Sequence, residues 1–361
     1  MRSEHLPQQK LKPLLLVLPT CSSFMDVDKQ ILRQSYRVKT VHLEQDRSRW
    51  RYLKRNFILC LTLFRSPGFK LVVVWFADYH AAPVVLLSRM LSKKTVVFIG
   101  GYDAVKYPRL GMGVYCSPLR GFCARLALKN CSLVIANHAA LLSSQNTYYD
   151  PQGHPEGVYQ LIRGLGTPSK VVHNACPIEP EAEVAISRKR QILTVGSTPR
   201  LNDFYNKGFD LLLEVAKRRP DLNFVFVGIS LRWLPELLRK HQLEALPNLT
   251  IHTWLHQPKM LELMRQSSVY AQPSISEGMP NALMEAMALG CVPVGSNVAG
   301  IPLIIGEHGF VIDRRDPASL EAALDKALAA QPDRQAISDH IRLHFNRDRR
   351  AQRLLEALKE L

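Results

Sequence analysis

The sequence lacks the long apolar runs that membrane-spanning helices need. Its longest candidate, Phe57–Phe64 (FILCLTLF), is far shorter than the roughly 20 residues that a span requires. The first residues carry a short apolar stretch without a small-residue cleavage site, so we expect Leu14–Leu18 to be a buried strand rather than part of a signal peptide. We therefore expect neither a spanning helix nor a secretory leader.

Closely spaced cysteines are also missing. The seven cysteines are spread thinly and none forms a CxxC pair, which argues against a disulfide framework and a zinc site. A reducing, cytoplasmic compartment is therefore expected. The composition, 47% hydrophobic and 22% charged, excludes wholesale disorder, collagen and coiled coil. A length of 361 residues exceeds what one core usually fills, so two domains are expected.

Negative charge is scarce, and unevenly so. The formal net charge is +16, from 47 Lys and Arg against 31 Asp and Glu. Division after Ala185 gives 24 basic against 12 acidic residues in the first part and 23 against 19 in the second, or +12 and +4. Such an excess indicates partners rather than fold: nucleic acid, an anionic membrane surface or an anionic substrate. Composition alone leaves these three open.

Short apolar runs alternate with amphipathic stretches in both halves of the chain. This alternation predicts, in each half, a parallel sheet with helices on both sides. The predicted strands are Leu14–Leu18, Lys39–Leu43, Leu71–Trp75, Thr95–Ile99, Leu133–Ala136, Gln191–Val195, Asn223–Val227, Leu249–His252, Val269–Gln272 and Val292–Val294. The stretch His173–Arg190, with two prolines and clustered charges, is predicted as the interdomain linker. Facing sheets of this kind bind ligands between the carboxyl ends of their strands.

The most informative segment is Gln272–Gly300 (QPSISEGMPNALMEAMALGCVPVGSNVAG). A strand is predicted at its start, and Pro280 lies where a helix begins, a position at which its missing N–H costs nothing. The free backbone N–H groups around Met279, Asn281 and Ala282, with the positive end of the helix dipole, form an anion site. A diphosphate is the natural ligand for it.

Two glutamates flank this anion site. Glu277 precedes it in the loop and Glu285 lies one turn inside the helix, with seven residues between them. A carboxylate accepts hydrogen bonds from vicinal hydroxyls, so the pair suits a sugar–diphosphate–ribose ligand, with Glu277 on the sugar and Glu285 on the ribose. Either glutamate alone is more typical of a dipole partner or a solvated helix face. Their combination within one segment favours ligand binding.

This segment resembles the donor-site motif of the retaining glycosyltransferase family 4, in the pattern S-x-x-E-G-x-P-N-x-L-x-E-A-M-A. The resemblance implies an α/β protein of the GT-B fold, with two doubly wound Rossmann-like domains facing a central cleft, and nucleotide-activated sugars as donors. It also implies an acceptor domain over residues 1–180, a donor domain over residues 186–339 and a C-terminal helix, about 340–361, that packs back on the first domain. The match is strong over about 190–310 and general before that.

Further matches follow in the same order along the chain. Gly196 and, after it, Lys207-Gly208 resemble the strand and turn that supply a diphosphate-binding lysine, and PDLNFVFVG, ending at Gly228, resembles the next strand and its glycine turn. The resemblance implies catalytic roles for Glu277 and Lys207. The donor-binding residues that it implies are Glu285, Gly278, Met279, Asn281, Ala282, Ser197, Arg200, Gly228, Trp254 and Leu255.

The chain also departs from the family pattern. Ser197 stands where an arginine commonly follows the strand glycine, and whether Arg200 supplies that charge instead stays open. The loop Pro19–Met25 lacks the usual glycine pair, and Asp103 falls near the position of a cleft histidine. Asp103 is a candidate catalytic residue that positions the acceptor hydroxyl, although GGYD is equally typical of a plain turn. The candidate acceptor residues are Ser22, Ser23, Gly100, Gly101 and Tyr102.

Retaining transfer in this family is thought to proceed on one face of the sugar, with the leaving diphosphate helping to deprotonate the acceptor. No protein nucleophile is then demanded, and we expect no metal or other cofactor. Two alternatives stay open. The departures just described suit a non-catalytic binding or scaffolding subunit of the same fold, and the charge suits a nucleic-acid-binding protein, although no RRM, KH or helix-turn-helix pattern supports the latter.

The basic excess concentrates between Asp28 and Lys70, with 11 Lys and Arg against 3 Asp and Glu and with aromatic residues interleaved. This mixture predicts an interfacial helix on anionic lipid headgroups, although it also suits nucleic acid or a solvated helix. Beside a sugar-donor motif we favour the membrane, because lipid-linked acceptors lie there. We therefore expect a role in cell-surface polysaccharide or glycolipid assembly at the cytoplasmic face of a membrane, a glycan or lipid-linked acceptor, and no nucleic-acid partner.

Overall fold

The structure, a computed structural model, describes residues 11–20, 22–43, 49–65, 68–180, 187–243, 246–330 and 333–361, except the side chains of Arg49 and Tyr52. Two six-stranded sheets and one small hairpin account for the strands of these residues. Each sheet belongs to one half of the chain. The predicted boundary between residues 180 and 186 falls on residues 181–186, which lie outside the described part.

The first half forms a parallel sheet with strand order β2-β1-β3-β4-β5-β8. Strands β6 and β7 pair separately as an antiparallel hairpin. The elements of this half are β1 (Lys12–Leu18), α1 (Ser23–Ser35), β2 (Tyr36–His42), α2 (Arg49–Arg65), β3 (Leu71–Trp75), α3 (Ala81–Met90), β4 (Lys94–Ile99), α4 (Pro118–Asn130), β5 (Leu133–Ala136), β6 (Ser144–Asn146), β7 (His154–Glu156), α5 (Val158–Leu161) and β8 (Ser169–Val171).

The second half repeats this plan with strand order β11-β10-β9-β12-β13-β14, again parallel throughout. Its elements are β9 (Lys189–Val195), α6 (Leu201–Asn206), α7 (Phe209–Arg218), β10 (Asn223–Val227), α8 (Leu234–His241), β11 (Leu249–His252), α9 (Gln257–Gln266), β12 (Ser267–Gln272), α10 (Asn281–Ala288), β13 (Val292–Ser296), α11 (Ile301–Ile305), β14 (Phe310–Ile312), α12 (Pro317–Ala329), α13 (Arg334–His344) and α14 (Arg347–Lys359).

Burial on both faces explains why the central strands are apolar throughout. All five residues of β3 are buried, and their side chains alternate between two clusters, one under α2, α3 and α4 and the other under α1 and α14. The ten predicted strands are confirmed within a few residues at their ends. Strands β8 and β14 were not predicted, because each has three residues and only partial burial.

The last helix returns to the first half. Arg350 of α14 and Asp28 of α1 form a buried ion pair, with Nε to Oδ1 at 2.5 Å and NH2 to Oδ2 at 2.8 Å. The indole N–H of Trp75 donates to the same carboxylate at 3.1 Å, and Leu354 and Leu358 join the core beneath it. The ion pair and the apolar contacts together hold α14, the last helix of the chain, against the first half.

No helix among the described residues is long and apolar enough to pass through a bilayer.

Candidate functional site

The donor motif forms the loop between β12 and α10. Helix α10 begins at Asn281, with Pro280 at its N-cap in an extended conformation, so the first N–H groups of the helix lack helical partners. A cavity of about 320 Å³ opens here, and both halves of the chain line it. Its lining includes Gly196, Ser197, Lys207, Glu277, Gly278, Met279, Asn281 and Ala282. The structure thus places five of the ten predicted donor-binding residues, together with Lys207 and Glu277, around one opening.

Lys207 and Glu277 meet directly at this cavity. The Lys207 ammonium lies 2.7 Å from Glu277 Oε1, and the same oxygen accepts hydrogen bonds from Ser274 Oγ at 2.9 Å and Gln272 Nε2 at 3.3 Å. The glutamate is therefore fixed by three donors from two segments. An arriving ligand with an anion and hydroxyl groups meets a positive and a negative group side by side.

Glycines set how closely the loops approach one another. Gly208, which follows Lys207, has φ +74°, and a Cβ there would lie 2.3 Å from the carbonyl oxygen of Pro273. A Cβ at Gly278 would lie 2.4 Å from the carbonyl oxygen of Gly100 in the other half. Side chains at these two positions would push the donor loop away from the lysine and from the facing sheet.

Arg200 lies beside a neighbouring cavity of about 340 Å³, which Lys207 and Glu277 also line. Its guanidinium bonds the carboxylate of Asp203 through Nε at 3.2 Å and NH2 at 2.5 Å, and its NH1 donates to the hydroxyl of Tyr102 at 2.8 Å. A second positive charge is thus present near the lysine despite Ser197. It is half-exposed and partly neutralised by Asp203.

Glu285 is buried within α10, with 5% of its surface exposed. Burial raises the pKa of its carboxyl group to about 7, because desolvation disfavours the charged form. Among the described residues it lines neither of the two cavities named so far. Its predicted ribose contact therefore stays a prediction, with a carboxyl group that titrates near neutral pH.

Asp103 is committed to the backbone of its own half. Its carboxylate accepts hydrogen bonds from the N–H groups of Ala77 at 2.9 Å, Gly100 at 3.0 Å and Gly101 at 3.2 Å. Burial raises its pKa to about 6, against the opposing effect of these hydrogen bonds. It ties together the chain segments that follow β3 and β4. Its catalytic role stays a prediction, because its carboxylate already accepts hydrogen bonds from three backbone N–H groups.

The other predicted residues are distributed around the site. Ser22 is the N-cap of α1 and Ser23 its exposed first residue. Gly228 has φ +100°, and a Cβ there would lie 2.4 Å from the carbonyl oxygen of Gly196. Trp254 is 75% exposed beyond β11, with the half-buried Leu255 next to it. Neither Trp254 nor Leu255 lines the cavities described here.

Two asparagines missed by sequence reasoning also line the 320 Å³ cavity. Asn137 follows β5 and Asn174 follows β8; both are buried, and their side-chain oxygens have no hydrogen-bond partner among the described residues. Such buried acceptors can receive a hydrogen bond from a ligand hydroxyl. The position of Asn137 directly after a predicted strand was an available signal, whereas β8 itself was not predicted.

A third cavity, of about 470 Å³, lies wholly in the N-terminal half. Asp78, Arg120 and His80 line it, and neither Arg120 nor His80 was among the predicted site residues. Tyr102 lines both this cavity and the 340 Å³ cavity beside Arg200. Phe76 lines both this cavity and the 320 Å³ cavity at the start of α10. The cleft therefore has adjoining compartments with shared walls.

Comparisons with known proteins find similarity to glycosyltransferases. Residues 180–344 match the family model described as glycosyl transferases group 1. Over 180 residues the chain is 24% identical to a phosphatidylinositol N-acetylglucosaminyltransferase subunit of Arabidopsis thaliana, covering 48% of this chain and 39% of that protein. It is 29% identical to an uncharacterized glycosyltransferase of Haemophilus influenzae, covering 43% and 44%. The chain thus spans less than half the length of these two relatives.

Solved structures match almost the entire chain. A sucrose-phosphate synthase of Thermosynechococcus elongatus superposes with a TM-score of 0.71 at 13% identity, over 97% of this chain and 98% of that one. Anabaena HepE in complex with UDP and glucose superposes with a TM-score of 0.66 at 16% identity, over 97% and 100%. The chain has the GT-B fold, and its resemblance to glycosyltransferases is confirmed. Membership of family 4 in particular stays a prediction.

Proposed function

We propose that this GT-B chain is a retaining glycosyltransferase that moves a sugar from a nucleoside diphosphate to an acceptor hydroxyl. The observation that carries the proposal is the Lys207–Glu277 pair, 2.7 Å apart, at the N-terminus of α10 in a cavity lined by both halves. A cation and a helix N-terminus suit a diphosphate, and the adjacent carboxylate suits sugar hydroxyls. The match of residues 180–344 to glycosyl transferases group 1 supports the same function.

In the proposed reaction the acceptor oxygen bonds to the anomeric carbon as the bond from that carbon to the diphosphate oxygen breaks. The acceptor proton passes to the leaving diphosphate on the same face of the sugar, so the configuration is retained. Lys207, Arg200 and the N–H groups of α10 stabilise the charge that develops on the diphosphate. Glu277 orients the sugar, and the Glu285 carboxylate holds the ribose.

The proposal assigns this charge stabilisation to protein groups and requires no metal. Ammonium, guanidinium and backbone N–H donors in a partly water-excluded cleft stabilise an anionic leaving group without a divalent cation. Transfer is therefore expected to continue undiminished in excess EDTA. A loss of activity that added Mg²⁺ or Mn²⁺ restores would overturn this part of the proposal.

A thermal-shift screen against UDP, GDP, ADP and dTDP tests the donor site. We expect one nucleotide to raise the Tm of the wild type and to do so less in Lys207→Ala and Glu285→Ala. The matched control Lys217→Ala, on the exposed face of α7, should respond like the wild type. No shift with any of the four nucleotides would overturn the donor site.

Turnover of the corresponding nucleotide sugar then separates an enzyme from a non-catalytic binding protein. We expect release of the nucleoside diphosphate and, by NMR, a product with the anomeric configuration of the donor. An inverted product would overturn retention. Nucleotide binding without any turnover would favour the non-catalytic scaffolding role.

We further propose that the chain acts at the cytoplasmic face of a membrane, in polysaccharide or glycolipid assembly, and contacts anionic lipid through α2. This helix has no acidic residue, and large apolar side chains on it are exposed: Trp50, Leu53, Phe57, Ile58 and Phe64, with 51–82% of their surface accessible. Leu59 and Leu63 face the core instead. Basic and exposed apolar groups on one helix complement an anionic bilayer surface, where each basic residue contributes about 1 kcal/mol.

Co-sedimentation with vesicles tests this surface. We expect binding to phosphatidylcholine vesicles that contain phosphatidylglycerol, weakening as salt rises, and little binding to phosphatidylcholine alone. Phe57→Ser should reduce binding, whereas Leu343→Ser, at a similarly exposed apolar residue on α13, should not. Equal binding to both kinds of vesicle, or none to either, would overturn the proposal.

A further inference from the structure

We propose that the 470 Å³ cavity of the N-terminal half binds the acceptor as an uncharged sugar ring, held by Asp78 and Arg120 and stacked on Phe76. This inference rests on the proposed function and deepens it, since it names the class of acceptor and the residues that recognise it. The cavity is larger than either of the two cavities that Lys207 lines, and all of its lining residues belong to the N-terminal half.

The polar recognition group is a bidentate ion pair. Arg120 Nε donates to Asp78 Oδ1 at 3.0 Å and NH2 reaches Oδ2 at 2.5 Å, while the N–H of Tyr79 donates to Oδ1 at 2.8 Å. The side chain of Asp78 is 10% exposed and that of Arg120 is 23% exposed, so both are held in place but remain accessible to a ligand. A carboxylate accepts from sugar hydroxyls and a guanidinium donates to them, and a fixed pair presents both functions at once.

The apolar recognition group is the ring of Phe76. This residue has φ +66°, a conformation that is strained for a side chain of this size. Gly100 makes room for it, since a Cβ at that position would lie 2.5 Å from Phe76 Cε1. Strain of this kind persists where the surrounding structure requires it, and here it holds an aromatic ring on the wall between two cavities. The C–H face of a pyranose packs on such a surface.

The charge of the cavity argues for an uncharged acceptor. Asp78 and Arg120 cancel each other, and Asp103, with a pKa of about 6, adds negative charge at pH 7. Burial lowers the pKa of His80, whose Nε2 lies 2.8 Å from the carbonyl oxygen of Trp75, and this disfavours a positive charge on the ring. A phosphorylated acceptor would find no unneutralised cation among the lining residues Asp78, His80, Asp103 and Arg120.

Shared walls connect this cavity to the donor side. Tyr102 lies between Arg120 and Arg200, whose guanidinium carbons are 4.9 Å and 4.7 Å from its ring centroid, and both arginines donate to its hydroxyl. The two arginines belong to different halves. A sugar on Phe76 would therefore share a wall with the cavity that Lys207 and Glu277 line.

Acceptor kinetics with defined probes test the inference once the nucleotide screen has identified a donor. The probes are the methyl glycosides of glucose, galactose, mannose and N-acetylglucosamine, and the 6-phosphate of each, with products detected by mass spectrometry. We expect transfer to at least one neutral glycoside, with kcat/KM at least tenfold above that of its 6-phosphate. Preference for a phosphorylated probe, or no transfer to any neutral glycoside while the nucleotide binds, would overturn it.

Variants separate recognition from general damage. Asp78→Asn is expected to raise the acceptor KM at least tenfold while leaving the Kd of the donor nucleotide unchanged. Phe76→Leu should also raise the acceptor KM at least tenfold, but its Kd for the nucleotide is not a control because Phe76 lines the donor cavity as well. Phe76→Tyr, which keeps the ring, should restore a KM near that of the wild type. Asp26→Asn, at an exposed position on α1, is the matched control. An unchanged acceptor KM in Asp78→Asn, with Tm preserved, would overturn the proposal; failure of the wild type to bind any nucleotide would instead remove the proposed function.

Discussion

The two halves of the molecule use the same parallel sheet to build sites of different character. In the C-terminal half the groups that face the cleft come mainly from one continuous segment, 272–282, which Lys207 joins from a neighbouring turn. In the N-terminal half Asp78, Tyr102 and Arg120 come from three separate segments and meet only in the folded chain. A local site can be recognised from its motif, whereas a dispersed site is recognised only from contacts.

Charge separates the halves as well. The N-terminal part carries +12 of the net charge and exposes basic and apolar side chains on α2, yet its cavity contains a neutralised ion pair. The C-terminal part has a nearly balanced charge of +4, and Lys207 lines the cavity at the N-terminus of α10. In the N-terminal half the excess charge therefore lies on the outer surface rather than in the cavity. In the C-terminal half the charge of Lys207 lies in the site itself.

The largest expected effect tests whether α14 belongs structurally to the first half. Arg350→Ala leaves Asp28 buried without its partner, and loss of one member of a buried pair costs about 3–5 kcal/mol. Lys170→Ala, which removes the exposed pair with Glu360 at the end of the chain, should cost about 1 kcal/mol or less. Calorimetry measures both. Equal effects would break the distinction between buried and exposed contacts of this C-terminal segment.

Next in size is the loss of the lysine in the donor half. Lys207→Gln removes the cation nearest the proposed diphosphate and is expected to lower kcat by about 10²–10³, the range found when one charge-stabilising donor is deleted. Lys217→Gln, ten residues further along the chain, should leave kcat within about twofold of the wild type, because its side chain lies on an exposed helix face. A loss in Lys207→Gln of less than about tenfold would show that the motif does not organise the chemistry of this half.

The third prediction uses the buried carboxyl group of the donor motif. With a pKa of about 7, the ionised fraction of Glu285 falls about tenfold between pH 8 and pH 6, so nucleotide binding that requires the carboxylate should weaken by about the same factor. Calorimetric Kd values at both pH values measure this, with Glu285→Gln as the control for titration of the nucleotide itself. The same ratio in both proteins would remove Glu285 from the ribose site.

The folding stability of the nucleotide-free protein should depend on pH in the opposite direction from nucleotide binding. Because the folded pKa of Glu285 is raised above its unfolded value, the folded state binds a proton that the unfolded state does not hold between about pH 4.5 and pH 7. The wild type is therefore expected to lose stability as pH rises through that window, and Glu285→Gln should lack this component. Comparison of the Tm values of the two proteins from pH 5 to pH 8 isolates it.

The smallest effect concerns Arg200, which contacts Tyr102 of the other half. Arg200 is half-exposed and already paired with Asp203, so Arg200→Gln should raise the donor KM by about fivefold or less, as expected for an exposed pair. A loss of about a hundredfold would mean that Arg200 fully replaces the arginine that Ser197 lacks. The donor half would then depend on two cations rather than one.

Local sequence patterns were sufficient to predict the parallel sheets and the donor segment. Apolar runs such as Leu71–Trp75 predicted central strands because strands buried on both faces carry no polar alternation. Glu277 and Pro280 predicted a ligand loop at a helix start because the requirements of a helix N-terminus are local in sequence. The short strand β8, with three partly buried residues, carried no such signal.

The pairing of polar groups that are distant in sequence depends on packing between elements and was not predicted. Asp103 was predicted to position a hydroxyl, but three backbone N–H groups hold its carboxylate, and no sequence pattern reveals which donors surround a buried acid. Asp78 and Arg120 are 42 residues apart and become one recognition group only through folding. Helix periodicity and capping depend on residues a few positions apart. Ion pairs and cavity walls depend instead on packing between elements, and this packing brings Asp78 and Arg120 together.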